Sequence, residues 1–210
     1  MHQTASCSTL VDVLAVRGNT HASAVRIAAT LFVTALTAAA AQFSIPVPFT
    51  VVPFTLQPMV VLLGGLALGP RLALASQVLY LMAGASGLPV FAASATLPPG
   101  ALRLLGPTGG YLLSYPVAAL LVGYLAERGF DRRYVTSVLA MAVGLLVIYA
   151  SGVTWLGVFA VEPAQRTAIG LQAALHAGVY PFFVADLLKL VAAAGILPGF
   201  WYLIGRTRIR

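Results

Sequence analysis

One acidic and one basic side chain lie close together in a long apolar stretch near the end of the chain. Asp186 and Lys189 belong to residues 179–195, VYPFFVADLLKLVAAAG, and Lys189 is the only lysine in the sequence. Their spacing of three places both groups on one face of a helix. An ionisable side chain at membrane depth costs free energy, so it normally faces the interior of a helix bundle and has a partner. The pair predicts either an ion pair that fixes packing or a site for a ligand with both N–H donors and a carboxylate.

Two other segments bring polar groups to the predicted starts of helices. In residues 52–58, VPFTLQP, the polar side chains are Thr55 and Gln57, and Thr55 is also a candidate helix cap. In residues 106–111, GPTGGY, glycines such as Gly109 would let backbone approach a ligand, with amide groups at a helix N-terminus. A turn with Thr108 as the N-cap explains the same residues equally well.

The composition excludes the usual soluble functions. Hydrophobic residues make up 60% of the 210 positions and charged residues only 8%, whereas a soluble domain has roughly 45–50% and about 25%. Too few polar side chains are present to cover a soluble globule, and a disordered chain has the opposite composition. A soluble enzyme, a nucleic-acid-binding protein and a disordered chain are therefore excluded as leading interpretations.

Apolar segments of the length that crosses a bilayer, about 20 residues, predict an all-α bundle of six transmembrane helices. They occupy residues 25–43, 51–68, 71–87, 108–126, 134–158 and a last span from about 171–178 to 205. Pro181 and Pro198 predict a kink or local opening in the last span. The predicted division is a poorly ordered arm at 1–24, the membrane domain at 25–205 and a basic tail at 206–210.

Arginine placement predicts the orientation of the bundle. With six spans, both termini lie on one side of the membrane, and nine arginines fall on that side against Arg103 and Arg166 on the other. The bias places the N- and C-termini in the cytoplasm. The net charge of +7 is therefore mainly an orientation signal and not a sign of nucleic-acid binding.

Two further features concern a lid and helix contacts. The connection at residues 88–107 is long for a compact bundle, and its LPVF segment at 88–91 is an apolar anchor that fits a lid over the outer site. Ala35 and Ala39 in the first span, like Gly65 and Gly69 in the second, have the small-xxx-small spacing that permits close helix contact. Spacing alone favours contacts within the same bundle.

Enzymatic alternatives are weaker. Residues 84–87, GASG, match the G-x-S-G of rhomboid intramembrane proteases, with Ser86 as nucleophile and His176 as base. Such a short motif arises easily in helices rich in glycine and alanine, and no asparagine beyond Asn19 is present for oxyanion support. No Walker motif is present either, because the only lysine does not follow a glycine-rich loop.

These motifs together resemble the BioY family, the substrate-capture (S) subunits of energy-coupling-factor (ECF) transporters for biotin. The resemblance extends over residues 25–205, and the segment 92–100, AASATLPPG, departs from the glycine-richer loop of the family. The segments that carry the resemblance are VPFTLQ at 52–57, GLPVF at 87–91, GPTGGYLLSYP at 106–116 and PFFVADLLK at 181–189.

The resemblance implies a six-helix bundle with biotin bound near the outer face, no enzymatic activity and no cofactor. It implies that Asp186 accepts the ureido N–H groups and that Lys189 holds the valerate carboxylate. Gln57, Tyr111 and Phe91 would supply a polar contact, a wall and a lid. Together with Thr55, Thr108 and Gly109 from the two segments above, these residues form the predicted substrate-binding set.

The resemblance also implies partners and a location. The partners are a membrane-spanning coupling T protein and two ATPase subunits, with the alanine face at Ala35 and Ala39 as the docking surface. The chain would be a multi-pass protein of the bacterial cytoplasmic membrane that topples to present its site inward, without a nucleic-acid partner. Two alternatives stay open: an S subunit for another vitamin, or a stand-alone transporter in which Asp186 relays protons.

Overall fold

Most of the computed structural model is helical, and it describes residues 9–17, 21–45, 47, 50–93, 99–159 and 169–206. Within these residues, two short strands pair as an antiparallel hairpin ahead of α3, with Ser44 opposite Thr55. The elements are α1 (Leu10–Arg17), α2 (Ala22–Gln42), β1 (Ser44–Ile45), β2 (Phe54–Thr55), α3 (Gln57–Leu68), α4 (Pro70–Ala85), α5 (Leu102–Leu105), α6 (Gly109–Ala126), α7 (Tyr134–Phe159), α8 (Gly170–Gly178), α9 (Tyr180–Ala193) and α10 (Ile196–Arg206).

Four stretches of helix in the described part of the chain are long and apolar enough to cross a membrane. They are α2, α6, residues Tyr134–Val158 of α7, and Tyr180–Ile204, which comprises α9 and most of α10. The prediction of a mainly helical chain with apolar helices long enough to span a membrane is confirmed. Helices α3 and α4, predicted as full spans, contain only 12 and 16 residues.

The boundaries of α3 explain its short length. Residues 51–56, predicted as helix, instead lead into the hairpin through Pro53 and strand β2, so α3 begins only at Gln57. It ends at Gly69, whose φ of +77° is in the region that favours glycine, and Pro70 then starts α4. A Cβ at Gly69 would also lie 2.8 Å from Cγ2 of Thr9, so the turn is packed against the N-terminal segment.

An ordered helix occupies part of the N-terminal arm. Residues 1–24 are predicted from the sequence to be poorly ordered, but α1 packs against α2 and α3 and buries Val11 and Ala15. Asp12 accepts a hydrogen bond from Thr9 Oγ1 at 3.0 Å and forms a 2.9 Å ion pair with Arg26 of α2. Two buried apolar side chains and this ion pair connect the short helix to the bundle. The proposed domain boundary itself stays a prediction.

The last predicted span is interrupted twice. Helix α8 ends at Gly178 and α9 begins at Tyr180, with Val179 outside helical geometry at φ −125° and Pro181 in the first turn of α9. A second turn at residues 194–195 separates α9 from α10, whose first turn contains Pro198. Proline cannot donate a backbone hydrogen bond, which explains why each interruption lies just before one of the two prolines. Backbone groups freed inside a membrane need other partners, and Tyr111 Oη donates a 3.0 Å bond to the Gly178 carbonyl.

Helix α6 is the central helix of the bundle. It packs against α3, α4 and α7, and two thirds of its span is buried. Small residues on its surface permit this: a Cβ at Gly110 would overlap Trp155 of α7. The beginning of α6, with Tyr111, thereby comes next to α7, α8 and α9 and forms one wall of the site.

Candidate substrate-binding site

A cavity of about 340 Å³ lies between the hairpin, the connection from α4 to α6, and helices α6 to α9. This volume is within the roughly 300–1,000 Å³ of small-molecule sites, and most of its lining is apolar, as is usual for them. Six of the eight residues predicted for substrate binding line it: Thr55, Gln57, Phe91, Thr108, Tyr111 and Asp186. Lys189 and Gly109 do not line it.

Both oxygens of the Asp186 carboxylate have partners within the protein. Tyr149 Oη donates to Oδ2 at 2.6 Å, and Lys189 Nζ lies 2.5 Å from Oδ1. The residue is only 7% exposed. Each carboxylate oxygen can accept more than one hydrogen bond, so this cavity-lining carboxylate keeps acceptor capacity. The site therefore presents a buried, oriented anion to a ligand with N–H groups.

Lys189 lies behind this carboxylate and not in the cavity. Its ammonium donates to the Thr55 carbonyl at 2.7 Å and stands 3.9 Å from the centre of the Phe54 ring. With the Asp186 ion pair, these contacts tie α9 to strand β2. The ion pair of the first interpretation is present, and Asp186 also lines the cavity, whereas ligand binding by either residue stays a prediction.

Gln57 connects the cavity to the lid connection through Tyr80. Its Nε2 donates to Tyr80 Oη at 2.6 Å, and that hydroxyl donates to the Val90 carbonyl at 3.3 Å. Thr55 was predicted to cap α3, but the N-cap residue of this helix is Leu56. Thr55 Oγ1 instead accepts from the Gln57 amide at 3.4 Å, just ahead of the helix.

The described residues of the connection from α4 to α6 contribute Phe91, Ala92 and Arg103 to the cavity lining, and the role of this connection as a lid stays a prediction. Phe91 sits in a slot on α4: a Cβ at Gly84 would overlap its ring, and Tyr80 meets it edge-to-face at 5.4 Å. Beyond it, Arg103 of α5 donates to the Ala92 carbonyl. Residues 94–98, within the segment that departs from the family pattern, lie outside the described residues.

The residues of the GPTGGY segment have two roles: some line the cavity, and others permit close packing of the helices. Thr108 and Tyr111 line the cavity, and Thr108 is the N-cap residue of α6 but makes no side-chain cap hydrogen bond. The missing side chain of Gly109 admits the Leu104 carbonyl and the Trp155 ring, which a Cβ would meet. Its role is the close packing of α5 against α6 and α7, in place of the ligand contact expected from the sequence.

Sequence reasoning missed several lining residues. Tyr149 is in the middle of α7 among apolar residues, and nothing local relates it to Asp186, 37 positions away. Arg103 did carry a signal, because it was one of only two arginines predicted on the outer side. Tyr115 and Phe182 are further aromatic lining residues.

The residues of the protease alternative are used differently. Ser86 Oγ, at the exposed end of α4, donates to the Ala83 carbonyl at 2.8 Å. The His176 ring packs edge-to-face on Tyr180 at 4.8 Å. Neither contact activates a nucleophile.

The alanine pair of α2 and the glycine pair at Gly65 and Gly69 have different surroundings. Ala35 and Ala39 are exposed on the outer face of α2. Gly65 faces α6 instead, where a Cβ would lie 3.0 Å from the Ala119 carbonyl. Contact within the bundle thus accounts for the glycine pair but leaves the alanine pair on the surface.

A helical membrane protein with a largely apolar cavity and a buried, oriented carboxylate is of the kind that binds a small organic molecule within the bilayer. The chain belongs to the BioY family, whose model matches residues 14–206. The resemblance seen in the sequence is thereby confirmed. The relatives are named as transporters, so the family is one of transporters and not of enzymes.

Individual relatives and one solved structure agree with this assignment. The chain is 42% identical to the probable biotin transporter BioY of Pyrococcus horikoshii over 163 residues, 78% of this chain and 87% of the relative. It is 38% identical over 150 residues to the biotin transporter BioY of Thermotoga maritima, 71% and 81% of the two chains. The crystal structure of an S-component for biotin from an ECF-type ABC transporter has the same fold, with a TM-score of 0.72 at 22% identity over 87% of this chain and 94% of the other.

Proposed function

We propose that the chain captures biotin at the outer face of the cytoplasmic membrane, as the S subunit of an ECF-type transporter. One observation carries the proposal: the Asp186 carboxylate faces the cavity while Tyr149 and Lys189 hold it from other sides. Relatives at 42% and 38% identity are named as biotin transporters, and the proposal extends that activity to this chain.

The chemistry of biotin fits the lining of the cavity. Biotin has two ureido N–H donors, one carbonyl, an apolar ring system and tail, and one carboxylate. Asp186 accepts the two N–H groups, and charge-assisted hydrogen bonds of this kind are the stronger ones. Tyr111, Tyr115 and Phe182 provide aromatic surface for the rings and tail. Gln57 and Thr108 offer polar groups for orientation.

The proposed topology has six membrane segments with both termini in the cytoplasm. The four long spans are joined by α3 and α4, which together form the second and third segments despite their short helices. The α6–α7 turn carries Arg128, Arg132 and Arg133, which the positive-inside rule assigns to the cytoplasm. The cavity then opens toward the opposite, outer face.

Coupling to ATP hydrolysis requires partners, because the chain has no Walker motif. The exposed alanines Ala35 and Ala39 of α2 offer a surface on which another helix can approach closely. We assign this face to a membrane-spanning T protein, which carries two ATPase subunits. An uptake assay separates this from a proton-coupled transporter: import that fails without the T protein and ATPases supports coupling, and import that collapses with the proton gradient contradicts it.

Equilibrium binding of labelled biotin to the purified full-length chain tests the proposal. Wild-type protein is expected to bind biotin, other vitamins are expected to compete poorly, and Asp186→Asn is expected to weaken binding at least tenfold. Glu127→Gln is a matched control, because Glu127 is an exposed acid at the far end of α6. Tight binding of another vitamin without biotin binding, or unchanged affinity in Asp186→Asn, would contradict the assignment.

A further inference from the structure

We propose that the turn between α6 and α7, together with α10, binds the headgroup of an anionic phospholipid. The turn comprises residues 127–133, and three of them are exposed arginines: Arg128, Arg132 and Arg133. It lies at the end of the bundle that the proposed topology assigns to the cytoplasm. None of its residues lines the cavity, so lipid binding here is independent of the ligand that the cavity takes.

Hydrogen bonds that close the end of α6 define the backbone of this turn. The Phe130 amide donates to the Leu125 carbonyl at 3.2 Å, and the Gly129 amide donates to the Ala126 carbonyl at 2.8 Å. This is the pattern of a Schellman motif. Gly129 has a φ of +87°, the left-handed conformation typical of the motif. The arginines on both sides of Gly129 therefore project from a defined backbone.

Two of the three guanidinium groups are stacked on aromatic rings. Cζ of Arg128 lies 3.8 Å from the centre of the Tyr124 ring. Cζ of Arg132 lies 3.7 Å from that of Trp201 in α10, and Trp201 Nε1 donates to Asp131 Oδ2 at 2.6 Å. A stacked guanidinium keeps its N–H donors at the edge of a plane, the geometry that binds phosphate oxygens bidentately. Because the rings restrict these side chains in advance, less entropy is lost when an anion binds.

The positive charge of the turn is only partly offset within the protein. Asp131 is fully buried and lies 3.6 Å from Arg132. In the described part of the chain, no acidic side chain is within ion-pairing distance of Arg128 or Arg133. Glu127 is the one exposed acid of the turn, against three exposed arginines. The turn therefore presents a net positive surface that an anion can neutralise.

The surface beside the arginines favours a phospholipid over a soluble anion or an acidic protein segment. Exposed apolar and aromatic side chains lie at the start of α7 and beside Trp201 in α10: Tyr134, Val135, Leu139, Phe200 and Leu203. In a bilayer such side chains contact acyl chains, and tyrosine and tryptophan prefer the depth of the headgroups. A ligand with a phosphodiester and two acyl chains fits both the arginines and this apolar surface.

Quenching of Trp201 fluorescence by brominated lipids tests the inference. The chain contains two tryptophans, so Trp155→Phe leaves Trp201 as the only one. The full-length protein is reconstituted in phosphatidylcholine vesicles that contain increasing fractions of brominated phosphatidylglycerol or brominated phosphatidylcholine. Phosphatidylglycerol is expected to bind about fivefold or more tightly, the contribution of one arginine near an anionic surface. In Arg128→Gln with Arg133→Gln, the ratio of the two affinities should fall to about one.

Matched variants separate a defined site from a general attraction of positive charge. Arg128→Lys with Arg133→Lys keeps the charge but loses the planar donors, so its ratio should be intermediate. Arg71→Gln removes an exposed arginine in the first turn of α4 and should leave the ratio unchanged. Thermal unfolding of wild-type protein in detergent is a second measurement that needs no substitution, and phosphatidylglycerol should stabilise the protein more than phosphatidylcholine does.

Three results would overturn the inference. The first is a wild-type ratio that persists in the glutamine double variant, and the second is an equal ratio in wild-type protein and the lysine double variant, which would indicate diffuse attraction. The third is a wild-type ratio of about one, which would leave the turn to an acidic segment of a protein partner. Competition by glycerol phosphate as effective as that by the lipid would assign the site to free phosphates instead. None of these measurements needs biotin, so failure of the proposed function would not alter them.

Discussion

Tyr149 Oη donates a 2.6 Å hydrogen bond to Oδ2 of Asp186, joining α7 to α9 at the wall of the cavity. Because Lys189 takes the other oxygen, the carboxylate has one preferred orientation before any ligand enters. Groups held in the bound geometry in advance lose less entropy on binding. Under the proposed function, Tyr149 is therefore a positioning residue for Asp186, the proposed ligand contact.

Removing the Tyr149 hydroxyl is expected to weaken biotin binding about tenfold. A hydrogen bond to a charged group contributes roughly 1.5–3 kcal/mol, and about 1.4 kcal/mol is a factor of ten in affinity. Equilibrium binding to Tyr149→Phe measures the effect. Tyr124→Phe is the matched control, since Tyr124 is exposed on α6 away from the cavity.

A double-mutant cycle shows whether Tyr149 acts through Asp186. The Tyr149→Phe change should cost much less affinity in an Asp186→Asn background than in wild-type protein, because the carboxylate it orients is gone. Equal losses in both backgrounds would show that the two residues act independently.

The Asp186–Lys189 pair should show its coupling in stability. Removing one partner of a buried ion pair leaves an uncompensated charge and costs roughly 3–5 kcal/mol, whereas replacing both is often neutral. Lys189→Met is therefore expected to lower thermal stability in detergent, and Asp186→Asn with Lys189→Met to regain most of it. Biotin binding should stay lost in the double variant. A double variant less stable than both single variants would contradict this account.

The slot at Gly84 should control how firmly the lid connection closes. Ala at this position would overlap the Phe91 ring and displace it, so Gly84→Ala is expected to release bound biotin about tenfold faster. Phe91→Leu in the Gly84→Ala background should recover part of the retention, because the smaller side chain relieves the overlap. Dissociation of labelled ligand measures both effects.

The control for the slot is Gly199→Ala in α10, where a Cβ meets nothing within 4 Å. Dissociation from this variant should match wild-type protein. Unchanged release from Gly84→Ala would show that the Phe91 slot has no part in retention.

Asp131, in the turn between α6 and α7 and outside the spans, should make stability depend on pH. It is fully buried, and burial raises its pKa above the usual 3.8, although Trp201 Nε1 donates to its Oδ2 at 2.6 Å. Between 3.8 and the raised value, the folded protein keeps a proton that the unfolded chain has lost. Asp131 therefore makes the folded protein less stable as pH rises through this interval.

Comparison with Asp131→Asn isolates this effect from other titrating groups. Thermal unfolding in detergent between about pH 4 and 8 is expected to show wild-type protein losing stability relative to the variant as pH rises. A difference between the two proteins that stays constant with pH would contradict the raised pKa.

The candidate site could be predicted from sequence where local pattern carried the information. Asp186 was evident because an acid inside an apolar span needs an interior position. Thr55 and Gln57 were singled out as polar side chains at the start of a predicted apolar span, and Tyr111 was implied by the family resemblance. Tyr149 was not, because a tyrosine in an apolar span is as compatible with lipid contact as with a site.

The fold, like the site, could be predicted only where local sequence carried the information. Helical class and membrane character follow from apolar length alone, because a bilayer requires internally satisfied backbone. The length of α3 could not be read in this way, since residues 51–56 are apolar but lead into the hairpin through Pro53. Likewise α1 is held by contacts with α2 and α3 that no local pattern in the arm reveals.

By itself, the sequence determined the membrane setting, the single acid–lysine pair in the last span and the family, all of which depend on local composition and order. Only the tertiary structure decided which of the two charges faces the cavity. A spacing of three puts Asp186 and Lys189 on one helical face, but the Thr55 carbonyl and the Phe54 ring draw the ammonium away from the ligand space. Those contacts come from the hairpin, more than 130 positions away in the chain, and spacing along a helix carries no information about them.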